Sequence, residues 1–294
     1  MTEVLFYIHP QVPLDMNYYD VANRLSNTFI SEIPGVSGVH SLISGFIQWK
    51  HQLTAGEKWV EYNGARLYAD TSDHVARRIA IRGEYESQTS EKIKNHLDTG
   101  DFAIDVGAHI GHHTVTIRQC VGADGRVWAF EPNPKNVDYI NKTLDRNEWD
   151  NVELFSIALS DTESSDQLLL PDSGNTGRAF LPDANTADAD TVDSYTVETR
   201  QLTSILNERQ INKIDLLKID VEGGETAIIR DISQHLNNIE TIILEFHTQM
   251  LNEEDVRDVF EILKNSGEIT DCNDNSVEVD RVLREKTDII WQSY

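Results

Sequence analysis

The segment Asp105-Val106-Gly107-Ala108-His109-Ile110-Gly111, followed by Ala129-Phe130-Glu131-Pro132, constrains the fold of this chain more than any other stretch. Phe102 to Val106 is apolar except for Asp105, as expected of a strand buried between two layers of helices. Gly107 and Gly111 free the backbone for a tight turn and for close approach of a ligand. The helix expected over Gly111 to Cys120 aims its unpaired N–H groups and positive dipole end at that ligand. Val127 to Phe130 reads as the next strand, and Glu131 falls at its carboxyl end, where a carboxylate can accept hydrogen bonds from both hydroxyls of a ribose. Strand, glycine turn, helix, strand and acid follow one another as in a nucleotide-binding βαβ unit.

The glycine pattern departs from the dinucleotide fingerprint G-x-G-x-x-G/A, because His109 stands where a third glycine is often found. A pyrophosphate needs that intimate backbone approach, whereas a ligand without phosphate does not. S-adenosylmethionine (SAM) carries a ribose, an adenine and an amino-acid tail, so a ribose-binding acid behind a looser loop favours SAM over NAD.

The remaining chain reads as further α/β units. Residues 1 to about 55 have apolar positions at helical spacing, and Trp59 to Tyr68 reads as a hairpin around Asn63-Gly64. A helix over Ser87 to Leu97 leads into the first core strand, and a helix over Lys135 to Arg146 leads into a strand over Val152 to Ala158. Ser160 to Asp193, rich in Asp, Ser, Thr, Asn and Gly, is expected to be an exposed loop, with a substrate lid as the sharper alternative. A strand at Leu216 to Ile219, a helix near Glu225 to Gln234, a strand at Thr241 to Glu245 and a helix at Glu253 to Asn265 follow. Strands near Ser276 to Val279 and Asp288 to Trp291 complete the sheet. The expected division is an extension over 1–83 and a catalytic domain over 84–294, with an acidic loop at about 171–193.

Fifty acidic residues against 25 basic ones give a formal net charge of −25, and no Lys/Arg cluster is present, which argues against a nucleic-acid partner. Such self-repulsion is tolerated in molar salt, so a salt-adapted source is one expectation and a merely acidic cytoplasmic protein the other. Cys120 and Cys272 have no metal spacing and fit reduced thiols. The start of the chain shows neither a basic leader nor a long apolar segment, so no membrane span is expected. The oligomeric state is not legible.

Glu84-Tyr85-Glu86, Asp105 to Gly111, Glu131-Pro132-Asn133, Ile157-Ala158-Leu159-Ser160-Asp161 and Leu217-Lys218-Ile219-Asp220-Val221-Glu222-Gly223-Gly224-Glu225 occur in this order. The chain thereby resembles the FkbM family of SAM-dependent methyltransferases from about Gly83 to His247. That resemblance implies a class I methyltransferase fold, a Rossmann-like, doubly wound, seven-stranded sheet with its last strand antiparallel. It also implies methyl transfer to the oxygen of a small or glycosylated acceptor. By position, Asp105, Gly107 and Gly111, with Ala108 among them, are implied to line the amino-acid end of SAM. Glu131, beside Pro132, is implied to hold the ribose, and Ser160 and Asp161 to meet the adenine, a task the main chain of Ala158 and Leu159 could also serve. The first 80 residues and the acidic insert have no counterpart in the resemblance.

Asp220, Glu222, Glu245 and His247 are expected around the carboxyl rim of the sheet, where ligands of open α/β sheets bind. Methyl transfer needs an aligned acceptor oxygen and, for an alcohol, removal of its proton. His247, Glu222 and Asp220 are the candidate bases, with Glu245 as a further acid, although capping of the next helix and pairing with Lys218 would equally explain the two acids Asp220 and Glu222. Hard carboxylates at Asp220, Glu222 and Glu245 would also suit a divalent metal, which carboxylate count alone does not favour. For His109, His112 and His113 the expectation is pocket lining or partial exposure rather than metal binding. Packing of the extension, rather than sugar contact, is expected of Asn17-Tyr18-Tyr19 and Trp49-Lys50-His51. Two rivals stand beside the O-methyltransferase: an NAD-dependent oxidoreductase on a similar sheet, and a non-catalytic SAM-binding partner module.

Overall fold

The computed structural model describes residues 55–171, 179–181, 191–285 and 288–294. The helices expected before residue 55, the aromatic clusters at 17–19 and 49–51 and the acidic run 183–190 lie outside the described residues. Contacts divide the chain into two units, residues 1–61 with 69–85 and residues 62–68 with 86–294.

Strands β1 (Glu57–Tyr62) and β2 (Ala65–Asp70) form a two-stranded sheet. Asn63 and Gly64 between them both have positive φ, +46° and +76°, the handedness that a type I′ hairpin turn requires. In the first unit, helix α1 (His74–Arg82) starts on Asp73, whose carboxylate accepts from the N–H groups of Val75 and Ala76, and ends on left-handed Gly83.

The second unit contains α2 (Ser87–Asn95), β3 (Phe102–Val106), α3 (His112–Val121), β4 (Arg126–Phe130), α4 (Pro134–Asn147), β5 (Val152–Phe155), β6 (Ala158–Leu159), β7 (Ser164–Pro171) and β8 (Thr191–Arg200). It continues with α5 (Leu202–Glu208), β9 (Ile214–Ile219), α6 (Glu225–Ile232), β10 (Ile239–Glu245), α7 (Glu253–Lys264), β11 (Gly267–Asp271), α8 (Val279–Arg284) and β12 (Asp288–Ser293). Seven strands form one sheet in the order β11-β12-β10-β9-β3-β4-β5. From β10 to β5 all neighbours are parallel, and β12 runs antiparallel to β10 and β11. This is the doubly wound class I methyltransferase sheet.

Side-chain alternation builds a core on each face of it. Ile104, Val106, Trp128, Phe130, Leu217, Ile219, Ile242 and Leu244 pack with α5, α6 and α7 on one face. Ala103, Val127, Ala129, Leu216 and Ile243 pack with α2, α3 and α4 on the other. Burial on both faces is why these strands read as nearly unbroken apolar runs. Asp105 and Lys218 are buried charged exceptions, and they are neighbours on adjacent strands. Progression to β4 and β5 on one side and to β9 and β10 on the other makes the gap between β3 and β9 the topological switch point, where carboxyl-end loops diverge.

Three expectations are corrected. Ser160 to Asp193 is not simply a loop: β7 pairs antiparallel with β8, which pairs with β6 in a separate three-stranded sheet. A bridge between Leu169 and Phe180 ties Ala179–Leu181 to that sheet. The penultimate strand is Gly267–Asp271, not 276–279; Ser276 makes only an isolated bridge to Thr270, and Val279 begins α8. Ile269 is buried on β11 while Asp271 accepts the N–H groups of Asn273 and Asn275, so the chain turns just before the expected strand. The strand over Val152 to Ala158 splits, with β5 in the main sheet and β6 in the small one. Among the described residues no helix is long and apolar enough to cross a membrane.

Candidate active site

The loop after β3 is built by backbone fit. Gly107 has φ +76°, and a Cβ there would lie 1.8 Å from the carbonyl oxygen of Asp220. Only glycine lets β3 and β9 meet so closely at their carboxyl ends. The N–H groups of Gly107 and Ala108 both donate to the Phe130 carbonyl at 3.0 Å, which ties the loop to the end of β4. His109 takes the left-handed conformation itself, at φ +53°, and its N–H donates to Glu131 Oε2 at 2.7 Å. The imidazole thus occupies a backbone position suited to glycine, held there by the acid at the end of the next strand.

Glu131 is buried and accepts two more hydrogen bonds at Oε1, from the Asn133 N–H at 2.9 Å and the Asn136 side chain at 3.2 Å. Burial outweighs these donors and pushes its carboxyl up to about 7. A cavity of about 710 Å³, open to solvent, runs along this end. Gly107, Glu131, Pro132, Ala158 and Leu159 line it, as do His109, Ile157, Leu168, Phe180, Val221 and Gly223. Asp105, Ala108, Gly111, Ser160 and Asp161 do not. Asp105 is fully buried behind the loop, accepting from the Thr114 hydroxyl and pairing with Lys218. Ala108 is buried in the core, Gly111 packs on Ile140, and Ser160 and Asp161 follow the end of β6, with Asp161 exposed.

The other end of the cavity carries charge. Asp220 and Glu222 line it where β9 ends. Lys218 is buried, its ammonium 3.2 Å from Asp105 and 3.3 Å from Asp220; burial opposes its charge, and the two carboxylates more than restore it. Burial likewise raises the Asp220 carboxyl, but Lys218 brings it below its ordinary value. From the end of β10, His247 places Nδ1 2.6 Å from Oε1 of fully buried Glu225, the first residue of α6. Its Nε2 lies 3.4 Å from Glu245 and 3.7 Å from Glu222. Burial disfavours the imidazolium, yet the bond to Glu225 and the charges of Glu225, Glu222 and Asp220 lift its pKa to about 9. The four rim residues named from sequence therefore converge, whereas Glu225, which orients the histidine, gave no sequence signal beyond following the glycine pair. Neither Asp220 nor Glu222 caps α6, whose N-cap position is Gly224 with no side-chain cap hydrogen bond.

The histidines at the start of α3 differ from expectation. His112 and His113 are both buried, their rings 4.0 Å apart, with Nε2 atoms 3.7 and 3.0 Å from Glu86 Oε2. Burial drives His112 down to about 4. Burial acts against ionised Glu86 too, but the hydrogen bond to His113 and the nearby His112 ring hold its carboxyl well below the usual range. Neither histidine reaches the cavity, because Glu86, at φ +47° just before α2, turns inward to meet them.

A glycine-turned loop, a buried acid at the second strand's end and a charged rim across the switch point together match one profile, the methyltransferase FkbM domain, over residues 105–275. The chain belongs to the FkbM methyltransferase family. Its members are SAM-dependent enzymes, and S-adenosylmethionine is the cofactor of this chain. A relative, the hexuronic acid methyltransferase AglP of Haloferax volcanii, is 26% identical over 213 residues, 71% of this chain and 81% of that protein. The methyltransferase sdnD of Sordaria araneosa is 23% identical over 51% of this chain and 67% of its own length. Among solved structures, a SAM-dependent O-methyltransferase from Thermotoga maritima aligns with a TM-score of 0.41 at 14% identity, covering 81% of this chain and 77% of that one.

Proposed function

We propose that this enzyme transfers the methyl group of SAM to an oxygen, hydroxyl or carboxyl, of a sugar or glycan acceptor, with residues 84–294 as its catalytic domain. The observation that carries the reading is that one cavity joins the Glu131 end to the Asp220 and Glu222 rim, so cofactor and acceptor oxygen can share it. The residues fit SAM: Gly107 lines the cavity with bare backbone, Glu131 faces it as a ribose acceptor, and Ala158, Leu159 and Phe180 offer an apolar wall for adenine. A carboxylate has about four acceptor sites, and three donors already occupy Glu131. A ribose gripping it with both hydroxyls would therefore displace the longest of these bonds, the one from Asn136.

Bound SAM supplies an electrophilic methyl group on a sulfonium whose leaving thioether is neutral. The protein then has to align the acceptor oxygen and, for an alcohol, take up its proton. Asp220, Glu222, Glu245 and His247 are the groups at hand, and Glu225 is the positioning residue behind His247. A sugar-acid acceptor is suggested by the name of the AglP relative.

Calorimetry with SAM, S-adenosylhomocysteine (SAH) and NAD, followed by methyl transfer to neutral sugars, uronic acids and their glycosides, tests the reading. SAM and SAH binding without NAD binding, with product on one acceptor class, is expected. NAD binding without SAH binding would overturn it.

A further inference from the structure

Asp220, Glu245 and His247 come from the ends of two neighbouring parallel strands, and their ligand atoms all lie within 4.8 Å of one another. His247 is held from behind: Glu225 Oε1 accepts from its backbone N–H at 3.3 Å and lies 2.6 Å from Nδ1. That leaves Nε2 turned toward Glu245 and Glu222. A buried carboxylate on one ring nitrogen, with the other turned toward oxygen ligands, is how proteins orient a metal-binding imidazole. A second, smaller void of about 180 Å³, open space included, is lined by Asp220, Glu245 and Asp288 together with Lys218, and Asp220 also lines the larger cavity. An ion here would sit beside the reacting centre.

The local charge balance favours a cation. Asp220, Glu222, Glu225 and Glu245 surround one imidazole, while the nearby Lys218 is already shared between Asp105 and Asp220. Gathering carboxylates in a half-dry rim is costly unless positive charge compensates them. A negatively charged sugar acid would also be repelled there. The trio Glu86, His112 and His113 is as compact but lacks this balance. It has one carboxylate, stands at the positive end of α3, and feels the charge of Lys218 at His112.

We infer that Asp220, Glu245 and His247 bind a divalent cation at the acceptor end of the cavity, and that this cation holds the acceptor oxygen. The inference rests on the methyltransferase reading above and deepens it. Two carboxylates with one imidazole suit Mn²⁺, with Mg²⁺ as the harder alternative. The acceptor class is then a sugar offering two adjacent oxygens, such as a uronate carboxylate with its neighbouring ring or hydroxyl oxygen.

The test titrates Mn²⁺ alone into EDTA-treated full-length protein in 1 M KCl, where a Debye length of about 3 Å suppresses diffuse binding to the acidic surface. Free Mn²⁺ is followed by electron paramagnetic resonance. One saturable site per chain is expected, weakened at least ~10-fold in Glu245→Gln and His247→Asn and roughly 10-fold in Glu225→Gln, with SAH affinity kept within about twofold. In the unaltered protein, Mn²⁺ but not Mg²⁺ should broaden the proton signals of bound SAH, a readout that needs no variant to fold. Absence of a saturable site, undiminished binding in both ligand variants, or unbroadened SAH signals at saturation would overturn the cation. Failure of the unaltered protein to bind SAH would instead overturn the methyltransferase reading.

Discussion

The two ends of the cavity are organised by different means. At the Glu131 end, backbone groups do the positioning: the N–H groups of Gly107, Ala108, His109 and Asn133 all converge on the tip of β4. At the rim, side chains separated by 22 residues, such as Glu225 and His247, position one another across strand ends. Backbone positioning tolerates changes of side chain but not of glycine. Side-chain positioning tolerates changes of backbone but not of charge. The cofactor end should therefore fail through shape, and the rim through electrostatics.

Gly107→Ala is expected to have the largest effect. Its Cβ collides with Asp220 at a positive φ, so stability measured by denaturant should fall by about 2–4 kcal/mol and SAH binding should disappear. An unchanged denaturation midpoint would remove the backbone half of the contrast. Glu131→Ala should weaken SAH binding roughly 30-fold, about 2 kcal/mol, through the lost ribose acceptor, with little effect on acceptor KM. Conversely, Glu225→Gln should lower kcat about 10-fold or more while leaving the Kd for SAH alone. Equal shifts in both quantities would mean that the ends are not separable.

A smaller effect concerns pH. Glu131 rises from 4.5 to about 7 on folding, so its contribution to the stability of the ligand-free protein is fully present below pH 4.5 and is lost as pH rises through about 7. Ribose hydroxyls need the ionised form, so SAH binding should tighten several-fold between pH 6 and 8, and Glu131→Gln should flatten that dependence. The smallest change is expected of Phe180→Ala, which trims the apolar wall and should weaken SAH about threefold to tenfold by calorimetry.

Legibility in the sequence follows the same contrast. The β3 loop, α3, β4 and Glu131 are contiguous, and each step has a local cause, so the architecture of the Glu131 end could be read directly. The core strands were legible because burial on both faces leaves apolar runs. The small sheet was not, because β7 and β8 are largely polar and hold together by pairing across an intervening segment rich in turn-forming residues. Gly267–Asp271 was missed for a related reason: an edge strand with one fully buried aliphatic side chain, Ile269, offers little pattern. At the rim, strand-end placement revealed Asp220, Glu222, Glu245 and His247. The partnership of Glu225 with His247 depends on how α6 meets β10, which no spacing encodes. His112 and His113 misled because adjacent helical positions normally diverge, whereas Glu86, the residue just before α2, draws both rings inward.

The contact at Gly107 has a kinetic meaning. Val106 accepts the N–H of Asp220, Gly107 accepts from Lys218, and the Cα of Gly107 leaves no slack against the Asp220 carbonyl. A cofactor that stiffens the loop also stiffens the strand end that carries the acceptor's partners. The tension is shared like that of two spans resting on one pier. Cofactor-first addition, with the methylated product leaving before SAH, is the order of events that such a joint favours.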